Sequence, residues 1–386
     1  MNKKKFLSFL LAGVLTTTAV TIPVVAYAKA NEGAKQPYTP TVTSKEENTM
    51  VNLLDGEILE FASNYTKCSA DKYAERMGTD RFAPKPFTLT WQAEEGALYY
   101  TLKLATKPDF SDEVKYLTFT NEHTFEDLFM GTKYYYQVVA QFENKTVKSR
   151  IFTFKTAYLP RTINVGGVSN TRDIGGYYTV DKTHRVRQGM VYRGGMLEDG
   201  SADDLRKMLN VYKIKTDLDL RAEKSASPLG LGVNFVNVSA PYYLGRDGIN
   251  SEVSSSKGDW EGTYREALLK EIQTFAKREN YPIYVHCSLG RDRTGTLVFL
   301  INALCGVGEM DLFLDYEISY FSKKWGGDGQ TAAYMVGNAF TGLYTYIKNY
   351  GKGTLSQNAE RFMLDLGVTQ TEIDSIRNIM LEEVQA

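Results

Sequence analysis

The chain has 386 residues, 43% of them hydrophobic and 24% charged, with 45 Lys and Arg against 46 Asp and Glu. That length accommodates two domains of ordinary size, and a formal net charge of −1 argues against nucleic acid as a partner. Three Cys are too few for a disulfide framework, and three His without ligand-like spacing give no metal site.

Met1 to Ala30 has a basic tip, Lys3 to Lys5, and then an apolar stretch from Phe6 to Val25. Ala26-Tyr-Ala28 and Ala28-Lys-Ala30 both offer small residues to a signal peptidase, so the pattern predicts a cleaved secretory signal over 1–30. An uncleaved anchor helix is the rival, weakened by the Thr cluster at 16 to 18 and by Pro23. No Cys follows until Cys68, which gives a lipoprotein anchor no support. Without Lys3, Lys4 and Lys5 the formal charge is −4, so any attraction for a phosphorylated substrate has to be local. Residues 31–83 open polar and rich in Pro and Thr, then carry scattered helical periodicity from Val51 to Ala62. They read as a linker and helical segment with no assigned role.

From 84 to 157 the texture changes to short strands of period two with turn residues between them. Phe87, Leu89 and Trp91 alternate, as do Tyr134, Tyr136, Val138 and Ala140. The run from Leu128 to Ala140, with Gly131-Thr132 ahead of Tyr134, resembles the fibronectin type III pattern around its tyrosine corner, with Met130 where Pro is usual. The expectation is a β-sandwich that acts as a spacer for the C-terminal domain, with a binding role for its tyrosines as the alternative.

From 158 to 386 strands and helices alternate, as in an α/β domain with a mostly parallel sheet flanked by helices. Leu159-Pro-Arg-Thr162 reads as a linker, and Arg172-Asp173 beside Gly175-Gly176 as a salt-bridged turn. Strands are predicted at Met190 to Arg193, Ile214 to Arg221 and Phe235 to Tyr243, and a helix cap at Ser201 to Asp204. Residues 244–262, rich in Gly, Ser and Asp, read as a mobile lid, and helical spacing resumes at Tyr264, Leu268, Ile272 and Phe275. Met310 to Phe321 has helical spacing, and Thr369 to Glu372 forms a capping box before the last helix. Cys305 ends an apolar helix and reads as core packing.

The stretch from Tyr281 to Gly295 carries the chemistry. Tyr281 to Val285 reads as an interior strand, Gly295 to Leu304 as a buried helix, and between them Cys287 is followed six positions later by Arg293. A loop of that length, with Gly290 to let it turn, can aim successive backbone N–H groups and a helix dipole at one oxyanion. The same field favours a thiolate at Cys287, and Arg293 can grip two phosphoryl oxygens with its planar fork.

His286, Cys287, Arg293 and Thr294 meet the signature His-Cys-x5-Arg-(Ser/Thr), so the chain resembles the cysteine-dependent protein tyrosine phosphatase superfamily. The run HCSLGRDRTG is most similar to atypical bacterial tyrosine phosphatases that also act on phosphoinositides, with Arg291 where Lys is usual. Ser169 to Tyr177, Asp219-Leu-Arg221 and Asp315-Tyr316 resemble further motifs of that family. The resemblance implies metal-free, cofactor-free hydrolysis through a cysteinyl-phosphate. Cys287 attacks, Arg293 and the loop from Ser288, Leu289 and Gly290 to Arg291 bind the phosphoryl group, Thr294 assists departure of the thiolate, and His286 orients the loop. It assigns the general acid to Asp292, with Asp247 and Asp259 on the lid as competitors. Asp219 and Arg221 either bind substrate or form a charge pair that holds their loop.

Phosphotyrosine proteins are the expected substrates, and phosphoinositides or inositol phosphates the alternative. A rhodanese-like sulfur carrier, a buried structural Cys287 and an inert, exported adhesion protein with a cell-surface partner remain as rivals, the last of another class.

Overall fold

A computed structural model of the protein describes residues 44–73, 82–222, 224–239, 264–322 and 331–384. The expected secretory signal, the lid and its candidate acids Asp247 and Asp259 lie outside the described residues.

The first core belongs to a sandwich of two sheets. β1 (Met50–Val51), β8 (Phe152–Thr156), β6 (Lys133–Gln141), β3 (Tyr99–Ala105) and β4 (Val114–Thr118) form one sheet in that order, with β7 (Thr146–Lys148) beside β6. β2 (Phe87–Thr90) and β5 (Glu122–Phe125) form the other. Period-two alternation decides which side chains face inward: Tyr134, Tyr136, Val138 and Ala140 of β6 are buried with Leu89, Trp91, Leu102 and Phe154. The Tyr134 hydroxyl accepts the N–H of Phe129 at 2.8 Å and so pins the corner ahead of its own strand.

The second core surrounds a five-stranded sheet in the order β13 (Asn234–Asn237), β12 (Thr216–Asp219), β14 (Ile283–His286), β11 (Val191–Gly194), β9 (Arg172–Asp173). All pairings are parallel except that of the edge strand β9. Tyr192 and Tyr284 face one side, where α2 (Ala202–Asn210) packs through Met208. Val191, Ile283, Val285 and Leu218 face the other, against α3 (Arg265–Phe275), α4 (Asp292–Leu304) and the C-terminal helices α7 (Leu355–Leu366) and α8 (Gln370–Met380). α4 is buried along nearly its whole length because the sheet, α3, α5 (Glu309–Glu317) and α7 enclose it. Cys305 lies in this core, where burial pushes its thiol up to about 12.

The segment read as a linker and helical segment and the stretch read as a linker both pack into the structure where they are described. Residues 31–83 are not a free-standing lead-in where they are described. β1 pairs with the sandwich, whereas α1 (Gly56–Ser63) buries Ile58 and Phe61 in the α/β core together with Leu54, Ala70 and Phe82. In sequence, then, most of the sandwich interrupts the second core, since α1 comes before β2 and packs into the α/β core. Arg161, in the stretch Leu159 to Thr162, is a buried bridge: it donates to Asp173 at 2.6 Å and to Asp127 of the sandwich. Met130 and Gln188 exchange two hydrogen bonds at 2.8 and 3.0 Å across the same junction. These contacts gather at the residues preceding β11, which is the amino end of the parallel strands.

Candidate active site

β14 carries His286 and Cys287 to the carboxyl end of the parallel strands, where ligands collect in open α/β sheets. The chain then turns through Ser288, Leu289, Gly290 and Arg291 before α4 begins at Asp292. Gly290 has φ +65°, and a Cβ there would stand 2.1 Å from the Gly194 carbonyl, so only glycine lets the loop lie against the end of β11.

The carbonyls of this loop are tied down from outside. The Ser288 carbonyl accepts the N–H of Met196 at 3.3 Å, and those of Leu289 and Gly290 both accept from Asn170 Nδ2 at 3.0 Å. Arg193 Nη2 adds a bond to Gly290 at 2.7 Å. A planar trans peptide points its N–H opposite to its C=O, so the amides of Leu289, Gly290 and Arg291 face away from these partners and into the loop's concavity. The helix dipole of α4 reinforces that positive centre.

Behind the loop lies a buried ion network. Arg193 and Arg172, both fully buried, converge on Asp315 of α5. Arg172 Nη1 also reaches Asn170 Oδ1 at 2.6 Å, which orients the amide that holds the loop. Burial opposes ionisation of Asp315, yet Arg172 and Arg193 outweigh it and keep the carboxyl below its usual range; burial and the neighbouring Arg193 pull Arg172 down to about 10. Arg172-Asp173 is therefore not a salt-bridged turn: the two residues sit in β9 and bridge outward, one to Asp315 and the other to Arg161.

The candidate residues separate into those at the loop and those beside it. Cys287 is 4% exposed. His286 is fully buried; its Nε2 lies 2.9 Å from Asp217 and its Nδ1 faces the Cys287 carbonyl at 3.3 Å. Arg293 anchors Nη1 on the Leu220 carbonyl at 2.9 Å, which places its guanidinium at the end of β12, beside the register partner of His286. The Thr294 hydroxyl is buried without a hydrogen-bond partner among the described residues. Asp219 and Arg221 form a charge pair at 2.7 to 3.1 Å, and Arg221 continues to Glu198 at 2.8 Å. Against the cost of burial, Arg221 and the nearby His286 hold Asp219 below the ordinary carboxylate range.

Arg291 and Asp292 pair with each other. Arg291 Nε and Nη2 grip the two carboxylate oxygens of Asp292 at 2.8 and 2.9 Å, and the Tyr316 hydroxyl adds a bond at 3.0 Å. Arg291, counted in the sequence among the phosphate-binding residues, is thus buried and directed at its neighbour. Asn170, Arg193, Asp217 and Tyr316 were not singled out by residue in the sequence for the site. Asn170 and Tyr316 fall in stretches that resemble family motifs, whereas Arg193 and Asp217 carry no signal beyond their places in predicted strands.

A Cys-x5-Arg loop of this construction, at the carboxyl end of the central strand of a parallel sheet, defines the cysteine-based phosphatase class. The sequence model of the tyrosine phosphatase family matches residues 163–382, and the chain belongs to that family. Among its relatives, a putative tyrosine-protein phosphatase of Cupriavidus necator is 31% identical over 166 residues, covering 39% of this chain and 59% of the other. The putative tyrosine-protein phosphatase OCA1 of Eremothecium gossypii is 34% identical over 58 residues, covering 15% and 26%. The chain therefore spans only about three-fifths and one-quarter of the lengths of these relatives. Among solved structures, the core catalytic domain of the PP-IP phosphatase SIW14 from Saccharomyces cerevisiae matches 41% of this chain and 86% of its own at 18% identity and a TM-score of 0.25.

Proposed function

We propose that the protein is a cysteine-dependent phosphomonoesterase. The observation that carries this reading is the loop whose carbonyls are held outward by Asn170, Arg193 and Met196, so that its amides converge on the space above Cys287. The Cys287 sulfur attacks phosphorus while the ester P–O bond breaks, and the departing oxygen takes a proton from Asp292. Water then attacks the cysteinyl-phosphate and gives a proton to the Asp292 carboxylate, the P–S bond breaks to restore the thiolate, and inorganic phosphate leaves. The amides and Arg293 stabilise charge on the equatorial oxygens throughout, and a turn of the Thr294 hydroxyl toward sulfur assists departure of the thiolate. For Asp292 to act, the grip of Arg291 and Tyr316 has to loosen when substrate enters.

Phosphotyrosine proteins are the favoured substrates. The case for polyanionic inositol phosphates leans on a second loop arginine, and Arg291 is buried and paired with Asp292. The sandwich, fibronectin type III-like in its tyrosine corner, is proposed as a spacer, supported by its attachment at the end of the sheet opposite Cys287. Export is proposed on the basic tip and apolar stretch of residues 1–30.

The test is turnover of an aryl phosphate by the whole chain. Cys287→Ser is expected to abolish it with the fold intact, and persisting turnover would remove Cys287 from the mechanism. A panel of phosphotyrosine peptides, phosphoserine peptides, phosphoinositides and inositol hexakisphosphate, with and without chelator, ranks the substrates.

A further inference from the structure

Asp315, Tyr316 and Glu317 end α5 and face three different partners. Asp315 holds the arginines behind the phosphate loop, and Tyr316 holds Asp292. Glu317, fully buried, turns the other way into the segment between β1 and β2. Its Oε2 accepts the Tyr65 hydroxyl and the Cys68 N–H, both at 2.9 Å, and its Oε1 accepts the Ala70 N–H at 2.8 Å. Cys68 takes φ +61°, which folds residues 68 to 70 around the carboxylate. Burial pushes the Glu317 carboxyl above its usual range, and these donors offset that only in part. Phe82 of the same segment lies with its ring centre 5.6 Å from the Arg172 guanidinium, and Phe61 packs on Phe321 at 5.0 Å.

We propose that residues 65–73, together with Phe82, act as a latch that positions the phosphate loop, with Glu317 as its keeper and Tyr65 as its principal side-chain contact. All of these except Glu317 lie outside the residues matched by the family model. The physical reason is that a buried carboxylate satisfied mainly by donors from one segment ties the end of α5 to that segment. A shift of α5 there moves Asp315 and Tyr316 together. Arg193, Asn170 and Asp292 move with them, and with these the amides around Cys287. The proposal rests on the phosphatase reading for its kinetic consequence, but not for its structural one.

The experiment uses the whole chain with Tyr65→Phe and Glu317→Ala. kcat for p-nitrophenyl phosphate is expected to fall about tenfold in Glu317→Ala, and less in Tyr65→Phe, because misplaced loop amides cost transition-state stabilisation. KM should stay within about twofold. Alkylation of Cys287 by iodoacetamide, read on its own peptide by mass spectrometry, is expected to need higher pH in both variants. Glu317→Gln, which keeps an acceptor oxygen, should recover part of each loss. Folded variants with lowered Tm but wild-type kcat and a wild-type alkylation profile would reduce the contacts to ordinary packing and overturn the proposal. Should Glu317→Ala not fold, Tyr65→Phe, which removes a single hydroxyl, carries the same decision. A wild-type chain without turnover whose alkylation profile still shifts on mutation would sink the phosphatase reading and leave the latch standing.

Discussion

The guanidinium of Arg193 lies 2.7 Å from the Gly290 carbonyl and is held there by Asp315, although Asp315 is 122 residues away in the chain. The arginine fixes the direction of the loop without being placed to touch a substrate. Arg193→Met is expected to lower kcat for an aryl phosphate by about a hundredfold, the scale on which a displaced catalytic group is felt, with a smaller effect on KM. Asn170→Ala, which frees two carbonyls, should fall in the same direction. Steady-state kinetics on both variants check this, and a change confined to KM would count against a positioning role.

Asp292 is bound on both oxygens by Arg291 and on one by Tyr316. If it protonates the leaving group, Asp292→Asn should slow alkyl phosphates more than aryl phosphates with good leaving groups, because only the former need the proton. Tyr316→Phe should leave this leaving-group dependence in place. Equal losses across the series in Asp292→Asn would move the acid role to another residue.

Gly290 admits no side chain. In Gly290→Ala a methyl group meets backbone at 2.1 Å and the positive φ adds strain, so destabilisation beyond about 3 kcal/mol is expected, with loss of activity even in the folded fraction. Urea unfolding measures the first and active-site titration the second.

The junction with the sandwich depends on Arg161. Arg161→Met leaves Asp173 buried without its cation and should cost about 3–5 kcal/mol. Calorimetry is expected to split one transition into two as the sandwich uncouples, and a single unshifted transition would contradict the bridge. A chain beginning at Tyr158 exposes the surface covered by Leu54, Ile58, Phe61 and Phe82, and is expected to aggregate rather than behave as an independent enzyme.

Acid should loosen the site from its buried carboxylates. Asp315 and Asp219 are both held below the ordinary carboxylate range in the folded protein, the former by Arg172 and Arg193 and the latter by Arg221 and His286, each against burial. The unfolded chain therefore takes up protons first. The stability these groups contribute is complete above about pH 4 and is lost as pH falls through their folded values. Urea midpoints between pH 5.5 and 2.5 should fall less steeply in Asp219→Asn than in the parent. A slope equal to that of the parent would remove Asp219 from this linkage.

Local chemistry was legible in the chain itself. The sequence from Tyr281 to Gly295 alone implies strand, loop and helix, because apolar runs, a glycine and the Cys-to-Arg spacing constrain the same short backbone. The alternation of Tyr134 to Ala140 and the capping box at Thr369 likewise depend on neighbours a few residues apart. Only the tertiary structure decided what holds the phosphate loop. Asn170, Arg193 and Asp315 come from separate elements, and a lone buried arginine or asparagine has no sequence period to betray its partner. Only packing could reveal that α1 and Phe82, between the first two strands of the sandwich, complete the core of the α/β domain, since an amphipathic segment specifies that it must be covered and not by what.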